Sequence, residues 1–330
     1  MSSALKKAKN LHQTKQISLI ITVLNEQETI LDLLQALARQ TKPADEIIIV
    51  DGGSTDDTPK IITDFFQKNP ELKIKLIIEP QLNISQGRNL AIKKAKYPLI
   101  AITDAGCIPH PDWLEELLKT YQNNSAPVVA GFYEGASRSN FEQAVVPYVL
   151  VMPDRVNPDT FLPATRSMLM EKRIWDQLGG FCEDLTVSED FAFAHQLKKY
   201  HIKIAFSAKA EVAWIPRKNL SEFSQMIFRF ARGDIQAGIF RPKITLIFLR
   251  YWLGLITLIW LWPRWLLILL FFTLGLSAYS YWSIKKNKKY VPQGWYWLPI
   301  LQITADLAVM WGTTMGLVDQ LKKKLFVRQA

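Results

Sequence analysis

Cysteine is nearly absent. The 330 residues hold two, Cys107 and Cys182, too few for a disulfide framework. Reduced thiols in the cytosol are expected, with both residues acting as small packing groups. Histidine is almost as scarce, and His12, His110, His195 and His201 show no metal-site spacing. No G-x-G-x-x-G follows the first strand-like run, and no G-x-x-x-x-G-K-[ST] occurs anywhere. Dinucleotide-dependent oxidoreductases and P-loop NTPases therefore lose their main support. A nucleotidyltransferase on a similar sheet is disfavoured too, because its glycine- and lysine-rich first loop is missing after "IITVL". The N-terminal stretch MSSALKKAKNLHQTKQ is basic, but no apolar segment stands behind it, so it does not read as a signal peptide.

What the chain does have is apolar residues and positive charge. Hydrophobic residues make up 49%, with 11 tryptophans, and 40 basic against 30 acidic side chains leave a net charge of +10. That excess suggests an anionic partner: nucleic acid, a phosphorylated ligand or a membrane face. After about residue 240 the composition shifts. ITLIFLRYWLGLITLIWLW and WLLILLFFTLGLSAYSYWS each have the length that spans a bilayer, separated by Pro263-Arg264. A third stretch, WYWLPILQITADLAVMWGTTMGLV, is long enough but carries Asp306. The basic clusters KKNKK (285–289) and LKKKLFVR (321–328) both favour the cytoplasmic side. A two-span hairpin satisfies the first cluster, and a third full span would put the second outside. The third stretch is therefore expected to be re-entrant or interfacial, unless Arg250 and Arg264 mark another arrangement. Asp306 would be costly alone at membrane depth and is expected to pair with Arg250 or Arg264, ahead of any lipid-headgroup contact.

Before residue 240 the pattern alternates. ISLIITVL (17–24), EIIIV (46–50), KLIIE (75–79) and PLIAIT (98–103) are strand-like, and the first two are continuous apolar runs suited to burial on both faces. Between them, ETILDLLQALARQ repeats apolar residues at helical spacing, Thr58-Pro59 reads as an N-cap and first helical position, and GRNLAIKKAK (87–96) opens another helix. This βαβ order predicts a doubly wound, mostly parallel α/β sheet, with ligands bound beyond the carboxyl ends of its strands. Asn25-Glu26, Asp51 and Asp104 sit at those ends. Carboxylates there suit ribose hydroxyls, a base N–H or a divalent cation, and do not suit a bare phosphate.

Five segments, in order, resemble the family 2 glycosyltransferases of GT-A fold. IITVLNEQETI is similar to the opening strand and Asn-Glu turn, and IIIVDGGSTDDT to the nucleotide-binding segment. GRNLAIKKAKYPLIAITDAGCIPHPDWLEEL is similar to the run through the D-x-D motif, and GGFCEDLTVSEDFAFAHQLKK to the region bearing the catalytic acid. RFARGD (229–234) resembles the arginine motif that closes the donor site. The resemblance covers roughly residues 17 to 235. It implies an inverting transfer of sugar from a nucleotide-sugar donor, with Glu26 and Asp51 at the positions that hold base and ribose and Asp104 as the first D-x-D aspartate. The second D-x-D position is Gly106, a departure from the pattern. Mg²⁺ or Mn²⁺ could still bind through Asp104, the diphosphate and water, or arginines could take more of the charge. Asp190 matches the catalytic base, which must take the acceptor's proton although a carboxyl group's ordinary pKa lies near 4.

The residues also admit simpler roles. Thr186 to Glu189 reads as a capping box, and Asp190 as a first-turn acid favoured by the helix dipole. Arg229 and Arg232 lie on one helix face, suited to a diphosphate or to anionic lipid. Arg88 either approaches the nucleotide or lies solvated at a helix start. Gly180, Phe181 and Glu189 are assigned to the acceptor side, and Trp214 and Arg217 to a possible acceptor wall. The chain is thus divided into a basic tail (1–16), a GT-A-like domain (17–240) and a membrane region with two or three transmembrane or re-entrant helices (241–330). It is expected to be anchored in a membrane with its catalytic domain in the cytoplasm. The expected partners are a nucleotide sugar and a lipid or lipid-linked glycan acceptor, and no nucleic acid. The rival is a non-catalytic membrane scaffold with a degenerate nucleotide-sugar fold, which Gly106 favours.

Overall fold

In a computed structural model, residues 16–262 and 264–327 are described. All but the last residue of the expected basic tail, as well as Pro263 and Arg328, lie outside them. The chain divides into two units. The first contains the chain up to Tyr133 with Asn157–Glu183 and Phe193–Ala213. Its opening elements alternate: β1 (Ile17–Val23), α1 (Ile30–Ala38), β2 (Glu46–Asp51), α2 (Thr58–Lys68), β3 (Ile74–Ile78), α3 (Ile84–Lys94) and β4 (Leu99–Ile102). β1 pairs in parallel with β2 and β4, and β2 with β3. β2 and β4 are buried throughout and β1 nearly so, whereas edge strand β3 is only partly covered. Continuous Ile/Val/Leu runs arise where helices cover both faces of a sheet.

Further along come β5 (Cys107–Pro109), α4 (Trp113–Asn124), β6 (Val128–Gly135), α5 (Asn140–Val149), β7 (Met168–Glu171), α6 (Lys172–Leu178), α7 (Glu189–Lys199) and β8 (Ile204–Trp214). The eight strands lie in the order β3-β2-β1-β4-β7-β6-β8-β5. β7 runs antiparallel to both β4 and β6, so the sheet is mixed, parallel in its first half. One core cluster joins Ile20, Ile48, Ile100, Met170, Phe181 and Phe193.

Two helix starts differ from expectation. α3 begins a turn before Gly87, at a complete capping box in which Asn83 accepts from Gln86 N and Gln86 returns to Asn83 N. Ahead of α2, Asp57 holds the N-cap position without a side-chain cap bond, Asp56 Oδ1 accepts from both Thr58 N (3.0 Å) and Thr58 Oγ1 (2.6 Å), and Thr58 is already helical.

The second unit comprises Glu134–Val156, Asp184–Ala192 and Trp214–Ala330. Its helices include α8 (Leu220–Gln236), α9 (Pro242–Leu261), α10 (Trp265–Asn287) and α11 (Leu298–Val327). α9 and α10 are long and apolar enough to cross a membrane, and most of their large apolar side chains are exposed, Trp252, Ile256, Trp260, Leu266 and Phe272 among them. A core helix of a soluble domain would bury these. α11 instead packs along α8. A Cβ at Gly312 would lie 2.4 Å from the Phe228 carbonyl oxygen, and one at Gly316 2.9 Å from that of Arg232. The G-x-x-x-G spacing thus lets the two backbones touch. Asp306 pairs with Arg250, as one of the two sequence-based alternatives had it. Its Oδ2 accepts from Arg250 Nη2 (2.6 Å), Tyr251 (3.3 Å) and the Tyr279 hydroxyl, while Oδ1 accepts from Gln302 Nε2 (3.1 Å). One buried carboxylate therefore ties α9, α10 and α11 together.

Candidate active site

β2, β1 and β4 are neighbours and parallel, so their carboxyl ends emerge on one edge of the sheet. The loops leaving β1 and β2 interlock there. Asn25 takes a left-handed conformation (φ 55°), which asparagine tolerates. Its N–H donates to Ser54 Oγ (2.8 Å), and its side-chain oxygen accepts from Thr55 N (2.9 Å). Glu26 N donates to Thr58 Oγ1 (2.8 Å), and the half-buried Glu26 carboxylate accepts from Thr29 Oγ1 (2.5 Å). Asp51 is fully buried at the end of β2. Its Oδ1 accepts from the N–H groups of Gly53 (2.7 Å) and Ser54 (2.6 Å), while Oδ2 is buried with no partner. Gly53 supplies the positive φ (101°) of this turn, and a Cβ on Gly52 would meet the Leu82 carbonyl oxygen at 2.9 Å.

Two residues beyond β4, Asp104 follows Thr103, whose hydroxyl donates to the Arg166 carbonyl (2.9 Å). Arg88 Nη2 donates to Asp104 Oδ1 at 2.8 Å. Arg88 is only 2% exposed, with its guanidinium 5.7 Å from the centroid of the Phe181 ring. A buried cation requires such an acid, so the pair neutralises one Asp104 oxygen. Asn89, the next residue, secures the Gly180–Glu183 turn: its amide nitrogen donates to Phe181 O (2.8 Å) and Glu183 Oε1 (2.9 Å), and its oxygen accepts from Phe181 N (2.9 Å) and Trp175 Nε1 (3.0 Å). Gly180 is required beneath it, with φ 83° and a Cβ position 2.9 Å from Asn89 Oδ1. At Gly106 a Cβ would meet nothing within 4 Å, so packing does not demand glycine there. Burial, then the charge of Asp104, pushes the Cys107 thiol far above its ordinary range. That keeps it protonated and suits a packing residue.

In the second unit, Glu189 and Asp190 open α7, Glu189 buried and Asp190 half-buried. Asp190 Oδ1 accepts from Phe191 N at 2.7 Å. The helix starts at Glu189, whereas a Thr186–Glu189 capping box would start it at Val187; Ser188, in a left-handed conformation (φ 61°), interrupts that register. Ser188 Oγ donates to Asp234 Oδ1 (2.9 Å), and Asp234, 4% exposed, accepts from Arg241 Nε (2.6 Å). Arg241 also lies 4.6 Å from the centroid of the Phe191 ring. A Cβ at Gly233 would fall 3.0 Å from Val187 O, so the 187–188 backbone rests directly on α8. Of the two arginines singled out in α8, Arg229 is exposed, and Arg232 Nε donates to Asp319 Oδ2 on α11 (2.6 Å). Asn89, Asp234 and Arg241 were not singled out by sequence reasoning. Asn89 and Asp234 lie inside the quoted segments GRN and RFARGD, where a buried polar role was available to find. Arg241 carried no signal.

Residues 18–177 match the sequence profile of glycosyl transferase family 2. The chain carries a glycosyltransferase family 2 domain. It is 25% identical over 228 residues to glycosyltransferase AglE of Haloferax volcanii, covering 67% of this chain and 73% of that one. It is 29% identical over 124 residues to glycosyltransferase GlyG of Streptococcus pneumoniae, covering 38% and 41%. Among solved structures, the mannosyltransferase PcManGT of Pyrobaculum calidifontis, in complex with GDP-Man and Mn²⁺, superposes with a TM-score of 0.61 at 17% identity over 93% of this chain and 94% of that chain. The chain shares the GT-A fold, and the chemistry of this family 2 domain is nucleotide-sugar-dependent glycosyl transfer in glycan synthesis.

Proposed function

We propose that the protein is a membrane-anchored, inverting glycosyltransferase that moves a sugar from a nucleotide donor to a hydroxyl or phosphate of a lipid-linked acceptor, in cell-envelope glycan or glycolipid synthesis. The observation that carries the donor half is the sheet edge itself, where three neighbouring parallel strands deliver Glu26, Asp51 and Asp104. Asp51 Oδ2, buried without a partner, is a ready acceptor for an N–H of the donor's base. Glu26 sits beside it to meet the ribose. Asp104 faces the diphosphate end, backed by Arg88.

A divalent cation fits this donor set in a reduced form. Asp104 has one oxygen committed to Arg88, leaving the other for the ion, and Gly106 offers no second carboxylate. Mg²⁺ and Mn²⁺ bind through a single carboxylate when diphosphate oxygens and water complete the shell, and such an ion would neutralise the departing diphosphate. Asp190 is the base that takes the acceptor's proton. Its loop is held by Ser188, Asp234 and Arg241, so that its position is set before substrate arrives. Arg229, exposed on α8, supplies positive charge, whereas Arg232 is matched by Asp319; Gly180, Phe181 and Glu189 are assigned to the acceptor side. The length and exposed apolar surface of α9 and α10 support anchoring in a membrane, and the basic cluster at 285–289 favours a cytoplasmic catalytic domain. A tethered enzyme of this kind suits a lipid-linked acceptor.

The test has two arms. Thermal shift of the full chain against UDP- and GDP-sugars, with and without Mg²⁺ or Mn²⁺, should show stabilisation by one nucleotide class and its loss in Asp51→Ala. Transfer from that donor should fall by about 10²-fold or more in Asp190→Asn with nucleotide binding intact. Equal transfer by Asp190→Asn removes that residue from the base role, and no response to any nucleotide removes the donor site.

A further inference from the structure

Six cations gather around the end of α10, and they differ in what they face. Lys285 and Lys286 lie in its last turn, and Lys288 and Lys289 in the 3₁₀ turn that follows (Lys288–Tyr290). Lys243 is in the first turn of α9, and Arg155 closes another 3₁₀ turn (Pro153–Arg155). Lys289 is matched by Asp154. Arg155 donates Nη2 to the backbone carbonyl of Lys286 (3.0 Å) and lies 5.0 Å from the centroid of the Tyr290 ring, so its guanidinium is fixed over this turn. The Lys286 ammonium sits between Trp282 (5.1 Å) and Tyr148 (5.9 Å). Arg155, Lys243 and Arg250 are near enough to repel it, and Asp306, which attracts it, is already paired with Arg250 at 2.6 Å. Arg155, Lys243 and Lys286 thus converge from three stretches of chain, and among the described residues none has a carboxylate of its own. All three side chains are exposed, and a bound anion would relieve their mutual repulsion.

We propose that Arg155, Lys243 and Lys286 form a binding site for the phosphate of an anionic membrane lipid, with Trp282 and Tyr148 flanking the headgroup. Three donors on separate elements suit a tetrahedral phosphate. The choice of a lipid over soluble phosphate rests on the reading that α9 and α10 cross a membrane: the site closes a helix of spanning length, and its aromatic flank is of the kind that sits at headgroup depth.

The test uses the full chain purified in detergent, titrated with dioleoyl phosphatidic acid or dioleoyl phosphatidylcholine and read by native mass spectrometry. The wild type should retain phosphatidic acid about tenfold more strongly, and Lys243→Gln with Lys286→Gln should abolish that preference. Two controls keep the result interpretable: Lys286→Arg, and a double variant of the neighbours Lys285→Gln with Lys288→Gln, which removes the same charge. Both should retain the preference. Equal retention by the wild type and the Lys243/Lys286 double variant overturns the proposal, as does equal loss in both double variants. Displacement of phosphatidic acid by millimolar inorganic phosphate would identify a soluble anion as the ligand and overturn the lipid assignment. If the Lys243/Lys286 variant does not fold, Lys243→Gln alone, at an exposed residue, must still weaken the preference. Alkaline carbonate extraction of membranes tests the spanning reading separately, since release of the chain would remove that reading whatever the lipid titration shows.

Discussion

Replacing Asp306 tests whether one carboxylate holds the three C-terminal helices together. The Asp306 side chain is 3% exposed and the Arg250 side chain 39%. Asp306→Asn keeps the shape and removes the charge, leaving Arg250, two tyrosine hydroxyls and the Gln302 amide around a neutral group. Breaking a fully buried ion pair costs about 3–5 kcal/mol. Arg250 can turn part of its guanidinium to its surroundings, so a loss of about 2 kcal/mol is expected here. At roughly 2–4 °C per kcal/mol, the midpoint of thermal unfolding in detergent should fall by about 4–8 °C. Asp306→Leu should cost more, because the tyrosine hydroxyls and Gln302 also lose their acceptor. The double variant Asp306→Leu with Arg250→Met should then be less damaged than the sum of the singles by about 1–2 kcal/mol, since the unpaired cation is gone. Additive costs, or an Asp306→Asn midpoint within a degree of wild type, would refute the idea that this acid is what the helices share.

Gly106→Asp should fold normally, because nothing lies within 4 Å of its Cβ position, and should lower the Mg²⁺ or Mn²⁺ concentration for half-maximal transfer by about tenfold; an unchanged metal titration would show that the ion does not visit that side of Asp104. Asp234→Asn keeps the hydrogen bond to Ser188 and loses the charge that holds Arg241, so kcat should fall about tenfold with donor KM unchanged, whereas a matching rise in donor KM would place the effect at the donor instead. A hydrogen bond from Arg232 holds the Asp319 carboxyl below its ordinary range. A depressed native pKa gives stability that is present above the unfolded value and is lost as pH falls through the folded one. Melting midpoints of the wild type should therefore drop on acidification below about pH 4, and Asp319→Asn should flatten that limb; identical acid limbs would count against the clamp.

The first half of the sheet was legible because burial on both faces leaves an unbroken signature, as in ISLIITV and EIIIVD. The acids at the strand ends were legible for a related reason: a charge that closes such a run has few structural excuses. β6, β7 and β8 were not, since an antiparallel return depends on partners far away, as Ile100 opposite Met170 does. The network around Asp190 escaped for the same cause. Nothing local to Asp234 announces Ser188, 46 residues before it. Nor does anything near Arg232 announce Asp319, 87 residues on. The G-x-x-x-G of α11 was visible in WGTTMG, yet spacing alone cannot say which helix it admits.

The close approach of α11 to α8 bears on any attempt to trim the protein to a soluble piece. A fragment ending near residue 240 would retain every strand and the acids Glu26, Asp51, Asp104 and Asp190. It would also strip Gly312, Gly316 and Asp319 from the side of α8, baring peptide backbone that now lies against a neighbour and releasing Arg232 from its anchor. Removing the hydrophobic tail would therefore trade one solubility problem for another, and enzymologists would do better to solubilise the whole chain.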